Sequence, residues 1–164
     1  MKYYIGIDNG VTATIAIIKP NGEVFMSKVP VKTEQSYTKA KQKITRIDHP
    51  KLIDLLRDHV GDAKNVFVRI ERPIVNPGRF KATASGLRAL ESVLIAVEDV
   101  MNLPYSYIDS KEWQKDLLPS GIKGDELKAA SKEIGSRLFP QFKDFKHPDL
   151  DGLLIAEYCR RKQL

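Results

Sequence analysis

"YYIGIDNGVTATIAII", residues 3–18, decides how the chain is read. It is an apolar run rich in β-branched side chains, with one carboxylate, Asp8, in its middle and Gly10 just after it. A charge inside an otherwise buried strand is costly unless something pairs with it. Either Asp8 is neutralised locally, or it holds a cation that other parts of the chain help to bind.

Working outward, residues 3–8 and 11–20 read as two strands. The turn at 20–23 carries Asn-Gly, a strong hairpin signal, and leads into a third strand over 24–31. The polar, lysine-rich stretch Lys32–Arg46 has no clear period and is expected to be a loop or mobile arm. Leu52, Leu55, Leu56 and Val60 share one face of a helix over 49–61. Residues 65–73 form a strand stopped by Pro73 and reached through that helix, so it should run parallel to the strand it joins. A loop at 76–81, a long helix from Ala82 to Asn102, and a strand over 104–110 follow. Two helices come next, with Ser110 and Asp125 as expected N-caps. A final helix has Pro148 in its first turn. This order of strands and helices predicts an α/β three-layer domain, a mixed five-stranded sheet with helices on both faces.

The 164 residues are enough for one domain, 1–164, with a sizeable core. Hydrophobic residues make up 42% and charged residues 29%, and no apolar run is long enough to span a membrane. The N-terminus enters a strand pattern directly, which argues against a signal peptide. The single Cys159 excludes an internal disulfide, so a reducing compartment, the cytoplasm, is expected. A net charge of +6 favours a polyanionic partner. The lysines and arginines gather in polar stretches while several acids sit beside apolar ones, which suggests an acidic pocket in a basic surface.

Those acids are Asp8 in the first strand, Glu71 at the end of the fourth, and Asp149 with Asp151 at the start of the last helix. If the first and fourth strands are neighbours, Asp8 and Glu71 meet, and the final helix can cover that point. Clustered carboxylates repel unless a cation neutralises them. An all-oxygen set without a Cys/His group suits Mg²⁺ or Mn²⁺ rather than zinc, and can hold two ions at a phosphodiester. Bland readings stand beside each: Asp8 as a turn former, Glu71 paired with Arg72, Asp149 as the acid of a helix N-terminus.

"IGIDNGVTATIAII", "VRIERP", the glycine-basic loop after it and "KHPDLDGLLIAEYCRRK" together resemble the RuvC-type Holliday junction resolvases, over roughly residues 3–162. The resemblance implies a ribonuclease H-like fold, a metal-dependent endonuclease acting on four-way and other branched DNA, and products with a 5′-phosphate and a 3′-hydroxyl. It further implies a homodimer, with the helix Ala82–Asn102 as its surface. Asp8, Glu71 and Asp151 match the family's acid positions. The usual partner of the last acid falls on Pro148, leaving His147 and Asp149 as candidates. Helical spacing favours His147, and ligand hardness favours Asp149.

For nucleic acid, Arg79 and Lys81 can bind phosphates, and Phe80 can stack on an unpaired base or tuck into the core. Lys123 and Lys128 flank the start of the penultimate helix, where resolvases place a lysine near the scissile phosphate. Trp113 and Cys159 read as core. Competing functions are a ribonuclease H-like nuclease acting on RNA or other DNA structures, and a non-catalytic nucleic-acid-binding module, against which the retained acids argue. "GIDNGVTAT" also resembles the phosphate-binding hairpin of actin-like ATPases, but those enclose nucleotide between two domains, and 164 residues are too few.

Overall fold

The structure is a computed structural model describing residues 1–164. Strands β1 (Tyr3–Ile7), β2 (Thr14–Ile18) and β3 (Val24–Lys28) form an antiparallel meander. A separate hairpin of β4 (Val31–Gln35) and β5 (Lys43–Ile47) follows. The chain continues through α1 (His49–Val60), β6 (Val66–Glu71), α2 (Phe80–Leu94), β7 (Tyr105–Ile108), α3 (Ser110–Leu117), α4 (Asp125–Leu138) and α5 (Asp151–Lys162). The main sheet has the order β3-β2-β1-β6-β7, with β6 parallel to both β1 and β7.

Alternation along the strands sends side chains to two cores. Ile5, Ile7, Ile15, Ile17, Val68 and Ile70 meet Leu52 and Leu56 of α1 and Val93 of α2 on one face. On the other, Ala16, Ile18 and Met26 pack against Leu150, Leu153 and Ala156. Behind them, Trp113, Leu118, Leu154 and Ile155 join α3 to α5. Helix α5 is buried continuously from Gly152 to Cys159, as befits a helix enclosed on all sides. Its one charge there, Glu157, accepts hydrogen bonds from Arg160 and Arg161. No helix is long and apolar enough to cross a membrane.

Five local expectations are corrected. Lys32–Arg46 is not a loop: Glu34 pairs with Arg46 at 3.0 Å across the β4–β5 ladder and with Lys32 at 3.7 Å. The segment 76–81 is a 3₁₀ turn, Pro77–Arg79, running straight into α2, which begins at Phe80 rather than Ala82. That helix is not α-helical throughout, because Ile95–Val100 is a wider π-helical segment in which the consecutive residues Ala96 and Val97 are both buried. Ser110 and Asp125 are first helical residues rather than caps: Asp109 and Gly124 hold the cap positions. Pro148 lies outside α5, which starts at Asp151 because Leu150 is not yet helical (φ −122°, ψ 38°).

Two glycines let α5 lie directly on the sheet. A Cβ at Gly6 would overlap the Gly152 carbonyl oxygen and stand 2.5 Å from the Ala156 nitrogen. A Cβ at Gly152 would stand 2.5 Å from the Thr14 carbonyl oxygen. Backbone cannot rotate away as a side chain can, so Gly6→Ala and Gly152→Ala should each lower stability by about 2 kcal/mol or more. Gly86, inside α2 with only ordinary contacts around its Cβ position, behaves oppositely. Gly86→Ala should gain about 0.5–1 kcal/mol. Urea unfolding of the three variants checks this, and a neutral Gly6→Ala would refute the close approach.

Candidate active site

Parallel pairing of β1 with β6 sets Ile7 opposite Ile70, so Asp8 and Glu71 leave the sheet side by side at the carboxyl ends of adjacent strands. Chain segments 63 positions apart thus meet at the edge where open α/β sheets bind ligands. The turn from Asp8 to Ala13 closes through the Asp8 N–H donating to the Thr14 carbonyl, with Gly10 at φ +121°. The Asn9 amide donates to the Gly86 carbonyl, tying this turn to α2. From the other face, the Gly152 N–H donates to Thr14 Oγ1 at 2.9 Å, fixing the start of α5 against β2.

These anchors bring Asp8, Asp149 and Asp151 together, one carboxylate oxygen of each within 4.8 Å of the others. Each has its own support. Ser131 Oγ, fully buried on α4, donates to Asp151 Oδ1 at 2.6 Å and accepts from the Leu150 N–H. Asp149 Oδ1 accepts from the Asp151 N–H and lies 3.5 Å from His147 Nδ1. Glu71 stands beside the triad, its Oε2 accepting from the indole N–H of the fully buried Trp113 at 2.8 Å.

His147 is not brought into the carboxylate set. Its Nε2 lies 2.7 Å from the Thr12 carbonyl oxygen and its Nδ1 2.8 Å from that of Asp149. A neutral ring can donate to one of these and an imidazolium to both. In this arrangement the ring braces the β1–β2 turn against the approach to α5 and turns no free nitrogen to the acids. The helical-spacing argument for His147 fails because residues 147–150 precede the helix. Arg72, the suspected partner of Glu71, instead pairs with Asp109 at 2.8 Å.

Burial is the largest cause raising the carboxyl pKa of Asp8, and the charges of Glu71, Asp151 and Asp149 raise it further. Glu71 is pushed up to about 7, by burial first and then by Asp151 and Asp149, against the opposing Trp113 hydrogen bond. Asp151 reaches about 6 through burial and Asp149, opposed by Ser131, His147 and Lys128. These groups form no ion pair with lysine or arginine. The donor set is hard oxygen throughout, so it fits a divalent cation of the magnesium type.

Two hollows flank the β1–β2 turn, and Val11 and Thr12 line both. One holds the triad with Lys128 and His147, and the other holds Glu71 with Arg72 and Arg79. Lys123, Phe80 and Lys81 line neither and are exposed near them in the chain. Phe80 is 76% exposed at the start of α2 and is not tucked into the core. Sequence reasoning placed Trp113 in the core, where it is, but missed its bond to Glu71; a buried indole N–H needs an acceptor, and that was the available signal. Ser131 carried a fainter one, standing three residues after Lys128 on the same face of α4.

No family model matches the sequence, and no curated protein matches it. Solved structures do. RuvC of T. thermophilus in complex with a Holliday junction substrate superposes with a TM-score of 0.59 at 12% identity, over 99% of this chain and 96% of that one. A structure of Thermus thermophilus RuvC gives 0.55 at 14%, over 98% and 96%. The chain has the ribonuclease H-like fold of RuvC. At this identity the likeness concerns the backbone, and the chemistry rests on the side chains just described.

The raised carboxyls link stability to pH. Their folded pKa values exceed the unfolded ones, so the folded state keeps protons that the unfolded chain releases. Their stabilising contribution is complete below the unfolded values near 4 and is lost as pH rises through about 6 for Asp151 and about 7 for Glu71. Each such group costs about 1.4 kcal/mol per pH unit within its window. In EDTA the melting temperature should therefore fall between about pH 5 and pH 7.5, and Mg²⁺ should restore it at the upper pH but not the lower. Asp8→Asn should shrink both effects. Melting indifferent to Mg²⁺ at the upper pH would count against a metal centre.

Proposed function

We propose that this chain, residues 1–164 acting as one nuclease domain, is a metal-dependent endonuclease that hydrolyses phosphodiester bonds symmetrically at four-way and other branched DNA junctions. The observation that carries the reading is the Asp8–Asp149–Asp151 triad, with Asp149 buried and the other two half-buried, free of lysine or arginine partners, and set beside Glu71 on a RuvC-like fold. Mg²⁺, with Mn²⁺ as a substitute and two ions per site, supplies an acidified water and neutralises charge on the phosphate oxygens.

The protein's part is to hold and orient. Asp8, Asp149, Asp151 and Glu71 provide the ligand oxygens. Ser131 fixes the rotamer of Asp151, Trp113 fixes that of Glu71, and His147 positions Asp149 and the turn bearing Asp8. Lys128 faces the triad across the hollow, where its ammonium can meet the phosphate under attack. Arg79, Lys81 and Lys123 offer charge to neighbouring phosphates, and exposed Phe80 offers a ring to an unpaired base at the branch. A four-way junction has two symmetric strands to cut, so a homodimer with two such sites matches the substrate.

The deciding experiment incubates the protein with labelled four-way junction, linear duplex, RNA–DNA hybrid and RNA, with Mg²⁺ or EDTA. Paired nicks at symmetric positions of the junction, only with Mg²⁺, are expected. Cleavage of the hybrid with the junction left intact would move the activity to RNA.

Two sets of variants test the roles. Asp8→Asn and Glu71→Gln should abolish cleavage while junction binding in EDTA stays at or above wild type, since clustered negative charge has been removed. Turnover by either at saturating Mg²⁺ would sink the assignment. Asp149→Asn should lose activity on the order of 10²-fold or more as a ligand, and His147→Ala about tenfold or less as a brace. Reversal of that order at fixed pH and Mg²⁺ would return the ligand role to His147.

A further inference from the structure

The β4–β5 hairpin is the one basic element that the catalytic reading leaves unused. Between Val31 and Ile47 it carries five cationic side chains against the single carboxylate Glu34, a net +4 of the chain's +6. Glu34 is taken up by Lys32 and Arg46. Lys39, Lys41 and Lys43, at and beside the tip, are exposed and have no acidic partner. Three lysines crowded into five positions repel one another, a cost with no return inside the protein.

The hairpin does not hang free of the rest. Ile47 at its base is buried in the main core. Near the tip, the Arg88 guanidinium of α2 lies over the Tyr37 ring at 5.4 Å and bonds its hydroxyl at 3.4 Å. Arg88 stands eight residues after Phe80. That is about 12 Å along α2 at a rise of 1.5 Å per residue, or roughly three to four base pairs of duplex. The lysine-bearing tip is thus held to the same helix that begins with the basic segment beside the acidic site.

We infer that the β4–β5 hairpin is a second nucleic-acid-binding element, which grips the phosphodiester backbone of a duplex arm through Lys39, Lys41 and Lys43. It deepens the nuclease reading and rests on it only for the identity of the polyanion. Phosphate contacts of this kind supply affinity and orientation without reading sequence. The hairpin therefore sets where an arm lies rather than which bases are cut.

The test is binding of full-length protein to a four-way junction and to linear duplex, in EDTA, across a salt series. Replacing all three lysines by alanine should lower affinity at least tenfold at low salt. The slope of log K against log salt should flatten by about two to three, near 0.9 for each phosphate that is no longer neutralised. Replacing them by arginine should keep both. The side chains are exposed and unpaired, so the melting temperature should not fall, and a melt no lower than wild type excludes misfolding as the cause.

Wild-type binding with an unaltered slope in the alanine variant overturns the inference and leaves the nuclease reading standing. Loss of binding in that variant, with no cleavage by wild type under any divalent metal, supports the inference and removes the nuclease reading. Lysine-dependent binding to vesicles of anionic lipid, with DNA binding unaffected, would assign the hairpin to another polyanion and overturn it.

Discussion

The contact on which the structure depends is backbone against backbone, where α5 lies on β1 and β2 with only Gly6 and Gly152 between them. A helix normally stands about 10 Å from a sheet because side chains keep it there. Removing the Cβ atoms at the crossing lowers α5 onto the strands, and Thr14 Oγ1 then receives the Gly152 N–H. That depth sets Asp149 and Asp151 level with the end of β1. With an ordinary side chain at either glycine, the helix would be lifted and the acids parted. The burial of α5 and the closeness of the three carboxylates both depend on this crossing.

Around that crossing, the remaining elements supply direction. β6 delivers Glu71 in register with Asp8, α3 delivers the indole that points it, and α4 delivers the hydroxyl that points Asp151. No lysine or arginine pairs with the gathered carboxyls, so the protons that Asp8, Glu71 and Asp151 keep relieve part of their repulsion, and a bound cation would relieve the rest. The electrostatic load on the cluster grows as these protons leave with rising pH. A cluster so arranged could hold a cation without rearranging.

The sheet and its helices were legible because strand runs such as 3–7 and 15–18 are continuously apolar, and because the leucines of α1 recur at helical spacing. The acids were legible for the opposite reason, as carboxylates in apolar surroundings. The β4–β5 hairpin was not. Its faces are only half-buried, and its inward positions include Lys32, Glu34 and Arg46, paired to one another rather than to a core. Hydrophobic periodicity has nothing to register in a ladder of that kind. The hydrogen bonds of Trp113 to Glu71 and of Ser131 to Asp151 escaped because the partners lie 42 and 20 residues away, and no local pattern encodes a contact of that range. The choice between His147 and Asp149 turned on helix phase, and phase has no meaning for residues that precede the helix.

The placement of α5 bears on the order in which the molecule is made. A ribosome that has delivered residues through β7 has supplied all five strands of the main sheet, with Asp8 and Glu71 already at their edge. It has supplied neither Asp149 nor Asp151, and nothing yet covers the glycine in the middle of β1. Synthesis thus yields a scaffold first and the complete acidic cluster only after α5 has docked, by a contact of very long sequence separation that closes late. Interrupted chains would present part of the acidic cluster and no whole one, so whatever chemistry the cluster supports is tied to completion of the fold.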